Sequence, residues 1–232
     1  MTQDTSLSAG RGPHAGLTPV IAGAPLDTAT VALVLVHGRG GSAEGMLPIA
    51  RAAKASHAAL IAPVAHANSW YPQRFLAPVS ANEPWLSSAL ESVDRAVRMA
   101  TEAGIPQDRI VLVGFSQGAC LSLEYTARAA AQGAHFGGVV AMAGALIGDP
   151  TVPRHDHGSL HGTPVVLACG DADAHIPEAL VRSSATAFEQ LGAAVDLRIY
   201  EGLGHDITGD QIEALATIVE RVSATRGESG TL

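Results

Sequence analysis

The sequence predicts an α/β fold in which a mostly parallel central sheet carries helices on both faces. Three observations lead there. Short β-rich runs such as Val31 to Val36 are apolar throughout, as strands covered on both faces are. Segments of helical period alternate with these runs over about 200 residues, which is the pattern of a parallel sheet. Finally, the apolar run Arg109 to Val113 breaks at Gly114-Phe115-Ser116-Gln117-Gly118 and continues as a helix of small residues, a strand, a sharp turn and a helix. In such a sheet the chemistry belongs in loops at the carboxyl ends of the strands.

Residues 1–16 are polar and aperiodic and are expected to form a tail without function of its own. Leu17 to Leu26, interrupted by Pro19 and Pro25, fits an edge strand or an irregular lead-in. The strand at 31–36 ends in His37-Gly38-Arg39-Gly40-Gly41-Ser42, where closely spaced glycines leave backbone amides open to an oxygen atom. No Gly-Lys-Ser/Thr ending and no dinucleotide glycine spacing follows, so an oxyanion loop is favoured over a phosphate loop. Residues 43–56 carry Met46, Ile49, Ala50 and Ala53 at helical spacing, and Ala58 to Val64 reads as another buried strand. It runs into His66 to Pro72, a loop whose Trp70 and Tyr71, with Phe75 close behind, either wall a pocket or cover the core. A helix begins around Asn82-Glu83-Pro84 and buries the stripe Leu86, Leu90, Val93, Val97 and Ala100 before Gly104.

After Ser116 a helix runs to about Gln132, and strands follow at 136–143 and 163–169. Between those strands, Ile147 to Gly162 reads as a mobile surface excursion; its His155, His157 and His161 sit among Pro and Gly, and no metal site is assigned to them. Gly170-Asp171-Ala172-Asp173-Ala174-His175-Ile176-Pro177 places acids at a strand end, and Pro177 opens a helix to about Gly192. Val195 to Tyr200 is the last strand. It leads into Glu201-Gly202-Leu203-Gly204-His205-Asp206 and a closing helix over 208–223. The expected organisation is a tail at 1–16, a single domain at 17–225 and a polar tail at 226–232.

The chain has 232 residues, 47% of them hydrophobic, and a net charge of -8 without a basic run, which argues against nucleic acid or an anionic membrane as partner. The longest apolar runs fall far short of a membrane span and the first residues lack a signal-like segment, so a cytoplasmic protein without stable membrane association is expected. Cys120 and Cys169 read as small core residues and are not expected to pair.

Ser116, Asp173 and His205 lie in three different strand-end loops, in the chain order Ser, Asp, His that a nucleophile elbow requires. A strand-helix-strand unit takes roughly 30 residues. The separations of 57 and 32 residues therefore correspond to about two units and one. His205 would take the proton of the Ser116 hydroxyl, and Asp173 would hold the imidazole's tautomer. Asp171 is better placed to stabilise its turn, His37 to brace the oxyanion loop, and Asp206 to point away from its neighbour His205. The oxyanion amides would come from Gln117, which follows the nucleophile, and from the Arg39 backbone. Ile176 and Leu203 join Trp70, Tyr71 and Phe75 as candidate substrate-contacting residues.

Taken together, Leu35 to Gly40, Gly114 to Gly118, Gly170 to Pro177 and Gly204-His205 resemble the phospholipase/carboxylesterase family of α/β-hydrolases, which includes bacterial carboxylesterases and acyl-protein thioesterases. The resemblance spans about Thr28 to Ser223. It implies a catalytic triad of Ser116, Asp173 and His205, oxyanion amides at Arg39 and Gln117, no cofactor, and a monomer or homodimer acting on a small-molecule ester. Arg39 and Cys169 stand where thioesterase members usually carry leucine and histidine. Trp70-Tyr71-Pro72 and Asn82-Glu83-Pro84-Trp85 look more like a bacterial subgroup of small-ester hydrolases. No insertion is large enough for a helical cap domain. The expected activity is a serine carboxylesterase, with lysophospholipase, acyl thioesterase or a non-catalytic binding protein as alternatives.

Overall fold

The computed structural model describes residues 12–224, and within them seven strands form one sheet. In chain order the elements are β1 (Val20–Gly23), β2 (Ala32–Val36), α1 (Ala43–Ala52), β3 (Ala59–Ala62), α2 (Trp85–Glu102), β4 (Ile110–Phe115), α3 (Gln117–Ala129), β5 (Gly138–Met142), β6 (Pro164–Gly170), α4 (Glu178–Gln190), β7 (Ala194–Tyr200) and α5 (Gly209–Ala224). The sheet order is β1-β3-β2-β4-β5-β6-β7, with β1 antiparallel to β3 and every other pair parallel. The proline-flanked lead-in thus becomes an edge strand, where a residue without an N–H does least harm.

Alternation along the central strands separates two cores. Val34 and Val36 of β2 pack with Leu112 and Val139 beneath α2, α3 and α4, whereas Leu33 and Leu35 pack with Val111, Val113 and Val140 beneath α1 and α5. Both sets are buried, which is why β2 and β4 read as unbroken apolar runs. At α2 the stripe anticipated from the sequence is buried, and Ala89 and Ala96 extend it. Among the described residues no helix is long and apolar enough to cross a membrane.

Two expectations need correction. Residues 12–16 are not a loose tail: the His14 ring is completely buried, and its backbone N–H donates to Ser88 Oγ at 2.9 Å. The remainder of the expected N-terminal tail, and the tail at 226–232, lie outside the described residues. The excursion at 147–162 is anchored as well. Arg154 donates to Glu124 of α3 at 2.9 Å and to the Ile147 carbonyl at 2.6 Å, it pairs with Asp156, and Leu160 is fully buried. Glu124 is itself buried: Arg128, one turn on in α3, holds it from within the helix, and Arg154 ties the loop to it. His155, His157 and His161 belong to no group of three or more metal-ligating side chains among the described residues.

Candidate active site

Parallel strands β2, β4 and β6, with β7 at the edge, deliver four loops to one rim of the sheet. Ser116 sits between β4 and α3 with φ 55° and ψ -120°, a conformation that costs a non-glycine residue on the order of 1–3 kcal/mol. Its N–H donates to Met142 O at 2.9 Å and its carbonyl accepts from Cys120 N at 3.0 Å, so the turn is held from both sides. Gly118 can carry no side chain, because a Cβ there would collide with the carbonyl oxygens of Val36 and His37; at Gly114 a Cβ would fall 2.6 Å from Ala119 Cα. These two approaches let α3 double back against β2 and β4 and lift the serine hydroxyl above the sheet.

His205 reaches that hydroxyl. Its Nε2 lies 2.8 Å from Ser116 Oγ, and its Nδ1 lies 2.7 Å from Asp173 Oδ2. The His205 loop gets there by lying over the end of β6, where a Cβ on Gly170 would meet the Leu203 carbonyl. Asp173 is fixed in turn: its Oδ1 accepts from His175 N at 2.8 Å and Ile176 N at 3.0 Å. Burial by itself would raise the Asp173 carboxyl. The hydrogen bond from His205 and those from the two amides outweigh it and hold the group below the ordinary carboxyl value of 3.8. With its side chain inaccessible to solvent, this carboxylate faces the imidazole as a preformed negative charge.

The other acids and histidines take structural places. Asp171 accepts from Gly202 N at 2.7 Å and Asp206 from Ile207 N at 2.7 Å. His37 donates from Nδ1 to Gly38 O at 2.8 Å, bracing its own loop. That loop passes close over the elbow, since a Cβ on Gly38 would stand 3.2 Å from Ser116 Cβ. Among the described residues, neither the Arg39 nor the Gln117 backbone N–H has an acceptor, whereas Gly40 N and Gly41 N are bonded within the protein. The Arg39 guanidinium turns outward, donating to the carbonyls of Tyr71, Pro72 and Gln73 at 2.7–3.0 Å.

A cleft of about 450 Å³ opens over Ser116 and is lined by Tyr71, Phe75 and Ile176 together with Arg39, Arg74 and His175. Trp70 and Leu203, also nominated from the sequence, do not line it. Trp70 is wholly buried behind the wall, where its indole N–H donates to His37 O at 2.8 Å. Leu203 is committed through its carbonyl, which accepts from Ala172 N at 3.1 Å and seats the His205 loop on the Asp173 loop. Sequence reasoning also missed three positioning side chains. Gln117 accepts from Trp70 N at 2.9 Å and donates to Tyr71 O at 2.8 Å, so the residue after Ser116 anchors the cleft wall. Asn82, read as a helix start, is buried and holds Gln73 N and Arg74 O. His14 donates from Nε2 to Trp70 O at 2.8 Å and accepts at Nδ1 from His66 N at 3.0 Å. The partners of His14 and Gln117 lie 56 and 47 residues away, and no periodic signal marks such contacts. Cys120 and Cys169 are buried free thiols, pushed up to about 12 by burial, and neither is a competing nucleophile near neutral pH.

His14 and His37 each use one ring nitrogen as donor and the other as acceptor, so both are held neutral, and burial lowers both below the ordinary imidazole value of 6.5. The unfolded chain therefore takes up protons at these positions before the folded protein does. Stability is at its full value above pH 6.5 and declines as the pH falls from there toward the folded values. Thermal melts between pH 7.5 and 5 should show this decline, and His14→Gln should make it shallower. Melting temperatures independent of pH across that range would contradict the neutral assignment.

Comparison with known proteins follows the same lines. A family model described as Phospholipase/Carboxylesterase matches residues 19–223. Acyl-protein thioesterase 1 of Yarrowia lipolytica is 31% identical over 212 residues, covering 82% of this chain and 91% of that protein. Acyl-protein thioesterase 1 of Saccharomyces cerevisiae is 28% identical over 137 residues, so the match spans 58% of this chain and only 59% of the relative's length. Among solved structures, a phospholipase/carboxylesterase from Dyadobacter fermentans superposes with a TM-score of 0.83 at 39% identity, covering 88% of this chain and 97% of the other.

Proposed function

Because the chain belongs to the phospholipase/carboxylesterase family of α/β-hydrolases, we propose that it is a serine carboxylesterase hydrolysing small to medium-chain esters through an acyl-enzyme. The observation that carries this reading is the unbroken hydrogen-bonded series from Ser116 Oγ through His205 to Asp173. Attack of Oγ on the ester carbonyl passes its proton to His205 Nε2, and the carbonyl oxygen becomes an oxyanion facing the free amides of Arg39 and Gln117. Each such donor contributes on the order of 3 kcal/mol to the transition state. The imidazolium then protonates the departing alcohol, leaving Ser116 acylated. A water molecule, deprotonated by the same ring, attacks the acyl carbon and restores the serine.

A second reading, acyl thioesterase, draws on the two curated relatives and on a groove of about 970 Å³ beside the cleft, lined by Leu146, Ile147, Val152 and Leu180. The Phe75 carbonyl, on the cleft side, accepts from Gly148 N, on the groove side, so the two depressions adjoin. Hydrolysis of p-nitrophenyl esters and of acyl thioesters from acetyl to palmitoyl separates the readings. The carboxylesterase reading expects kcat/KM to peak between acetyl and hexanoyl and to favour esters. A peak at palmitoyl with thioester preference would replace it with the second.

A further inference from the structure

The cleft over Ser116 has an unusual charge balance. Arg39, Arg74, His175 and His205 line it, and no Asp or Glu does, in a chain whose net charge is -8. Outside the cleft, Arg98, Arg128, Arg154, Arg182 and Arg198 pair with carboxylates within 3 Å, whereas Arg95 bonds the Ser92 hydroxyl and the His14 carbonyl. Arg39 and Arg74 pair with none among the described residues. The Arg39 guanidinium is spent on three carbonyl oxygens of the 71–73 segment. Arg74 differs. It is exposed, and its side chain makes one long hydrogen bond, 3.3 Å, to the His175 carbonyl, which leaves most of the five guanidinium N–H donors open to the cleft.

Arg74 is also held in position. The buried Asn82 side chain donates to the Arg74 carbonyl and accepts from Gln73 N, fixing the backbone from which the guanidinium projects. The far end of that guanidinium rests on His175, whose ring packs on His205 at 4.8 Å between centroids. An unpaired cation therefore stands on the His205 side of the reacting serine. At the inner end of the cleft, the buried Tyr71 hydroxyl has no hydrogen-bond partner among the described residues beyond the weakly bonding Cys120 thiol. Neither end of this cleft matches a purely aliphatic ester. A guanidinium unopposed by a carboxylate at the mouth of a cleft focuses the field on a bound anion and draws it in.

We infer that the cleft selects esters carrying a carboxylate a few bonds from the scissile carbonyl, as half-esters of dicarboxylic acids do, with Arg74 as the specificity-determining residue. The inference rests on the esterase reading above and narrows its substrate class. Hydrolysis adds water across the ester C–O bond and releases an alcohol and an acid, one of which keeps the extra carboxylate.

Two matched pairs test it: monomethyl glutarate against methyl valerate, and 4-acetoxybutyrate against butyl acetate, followed by pH-stat. In each pair a carboxylate replaces a methyl group, once on the acyl side and once on the alcohol side. In at least one pair kcat/KM should favour the anion by on the order of tenfold, the scale of one charge-assisted hydrogen bond. That ratio should collapse toward one in Arg74→Gln, recover in part in Arg74→Lys, and shrink between 20 and 500 mM NaCl; circular dichroism verifies that the variants fold. Ratios near one in both pairs, or a preference that Arg74→Gln leaves intact, would overturn the inference while p-nitrophenyl butyrate turnover keeps the esterase reading. Absence of turnover on every ester, p-nitrophenyl butyrate included, would overturn both.

Discussion

Replacing Ser116 with alanine is expected to lower kcat for p-nitrophenyl butyrate by at least about 10⁴-fold while leaving the circular dichroism spectrum and the melting transition in place. The loss follows from the geometry rather than from the serine alone. Among the described residues His205 Nε2 has no partner other than Ser116 Oγ, so without the hydroxyl it can activate only water, and the acyl-enzyme that divides the reaction into two easier steps cannot form. What persists is the oxyanion loop and the binding cleft, which together sustain a residual rate above that of the uncatalysed reaction. The fold should survive because the elbow is built from its backbone: the Ser116 N–H to Met142 and the Ser116 carbonyl from Cys120 do not involve the side chain. Alanine keeps the strained φ of 55° without relieving or adding to it. Measuring kcat and KM separately checks the assignment, since the effect should fall on kcat.

Asp173→Asn should cost kcat on the order of 10⁴-fold, and here the reason is a tautomer. Oδ1 of Asp173 accepts two backbone N–H groups, from His175 and Ile176. An asparagine at this position must place its carbonyl oxygen there, because an amide NH₂ facing two amide N–H groups would leave three donors buried without an acceptor. Its NH₂ is then turned on His205 Nδ1. That nitrogen must become an acceptor, the ring proton moves to Nε2, and the nitrogen facing Ser116 can no longer take the serine's proton. The variant should therefore fold and bind ester with little change in KM while kcat falls. Near wild-type kcat in Asp173→Asn would show that the acid does not set the imidazole's tautomer.

Much of this arrangement is legible in the sequence because it is local. The apolar runs at 31–36 and 110–115 become β2 and β4, and Gly114 and Gly118 are required by contacts that a Cβ would destroy. The order and spacing of Ser116, Asp173 and His205 translate into strand ends because each strand-helix unit occupies a nearly constant length of chain. Side chains acting across long separations leave no such trace. His14 meets Trp70 across 56 residues and Gln117 meets Trp70 across 47, and nothing periodic in a polar segment marks one imidazole for burial. Trp70 illustrates the same limit from the other direction. An aromatic at a strand's carboxyl end can line a pocket or back it, and the choice was made by hydrogen-bond partners on three other elements, at His37, Gln117 and His14. Glu124 reads as one polar residue in a helix, yet its pair with Arg154 pins the 147–162 excursion that a Pro/Gly-rich composition suggests is free.

The central claim is that Ser116 is a nucleophile activated by His205. Intact-protein and peptide mass spectrometry after incubation with a fluorophosphonate tests it most directly, because the reagent bonds covalently only to a serine oxygen that a neighbouring base has activated. The expected result is one phosphonyl group per chain, located on Ser116, absent from Ser116→Ala and slowed strongly in Asp173→Asn. An unlabelled Ser116 in a protein that still hydrolyses esters, or a single adduct at another residue, would contradict the account.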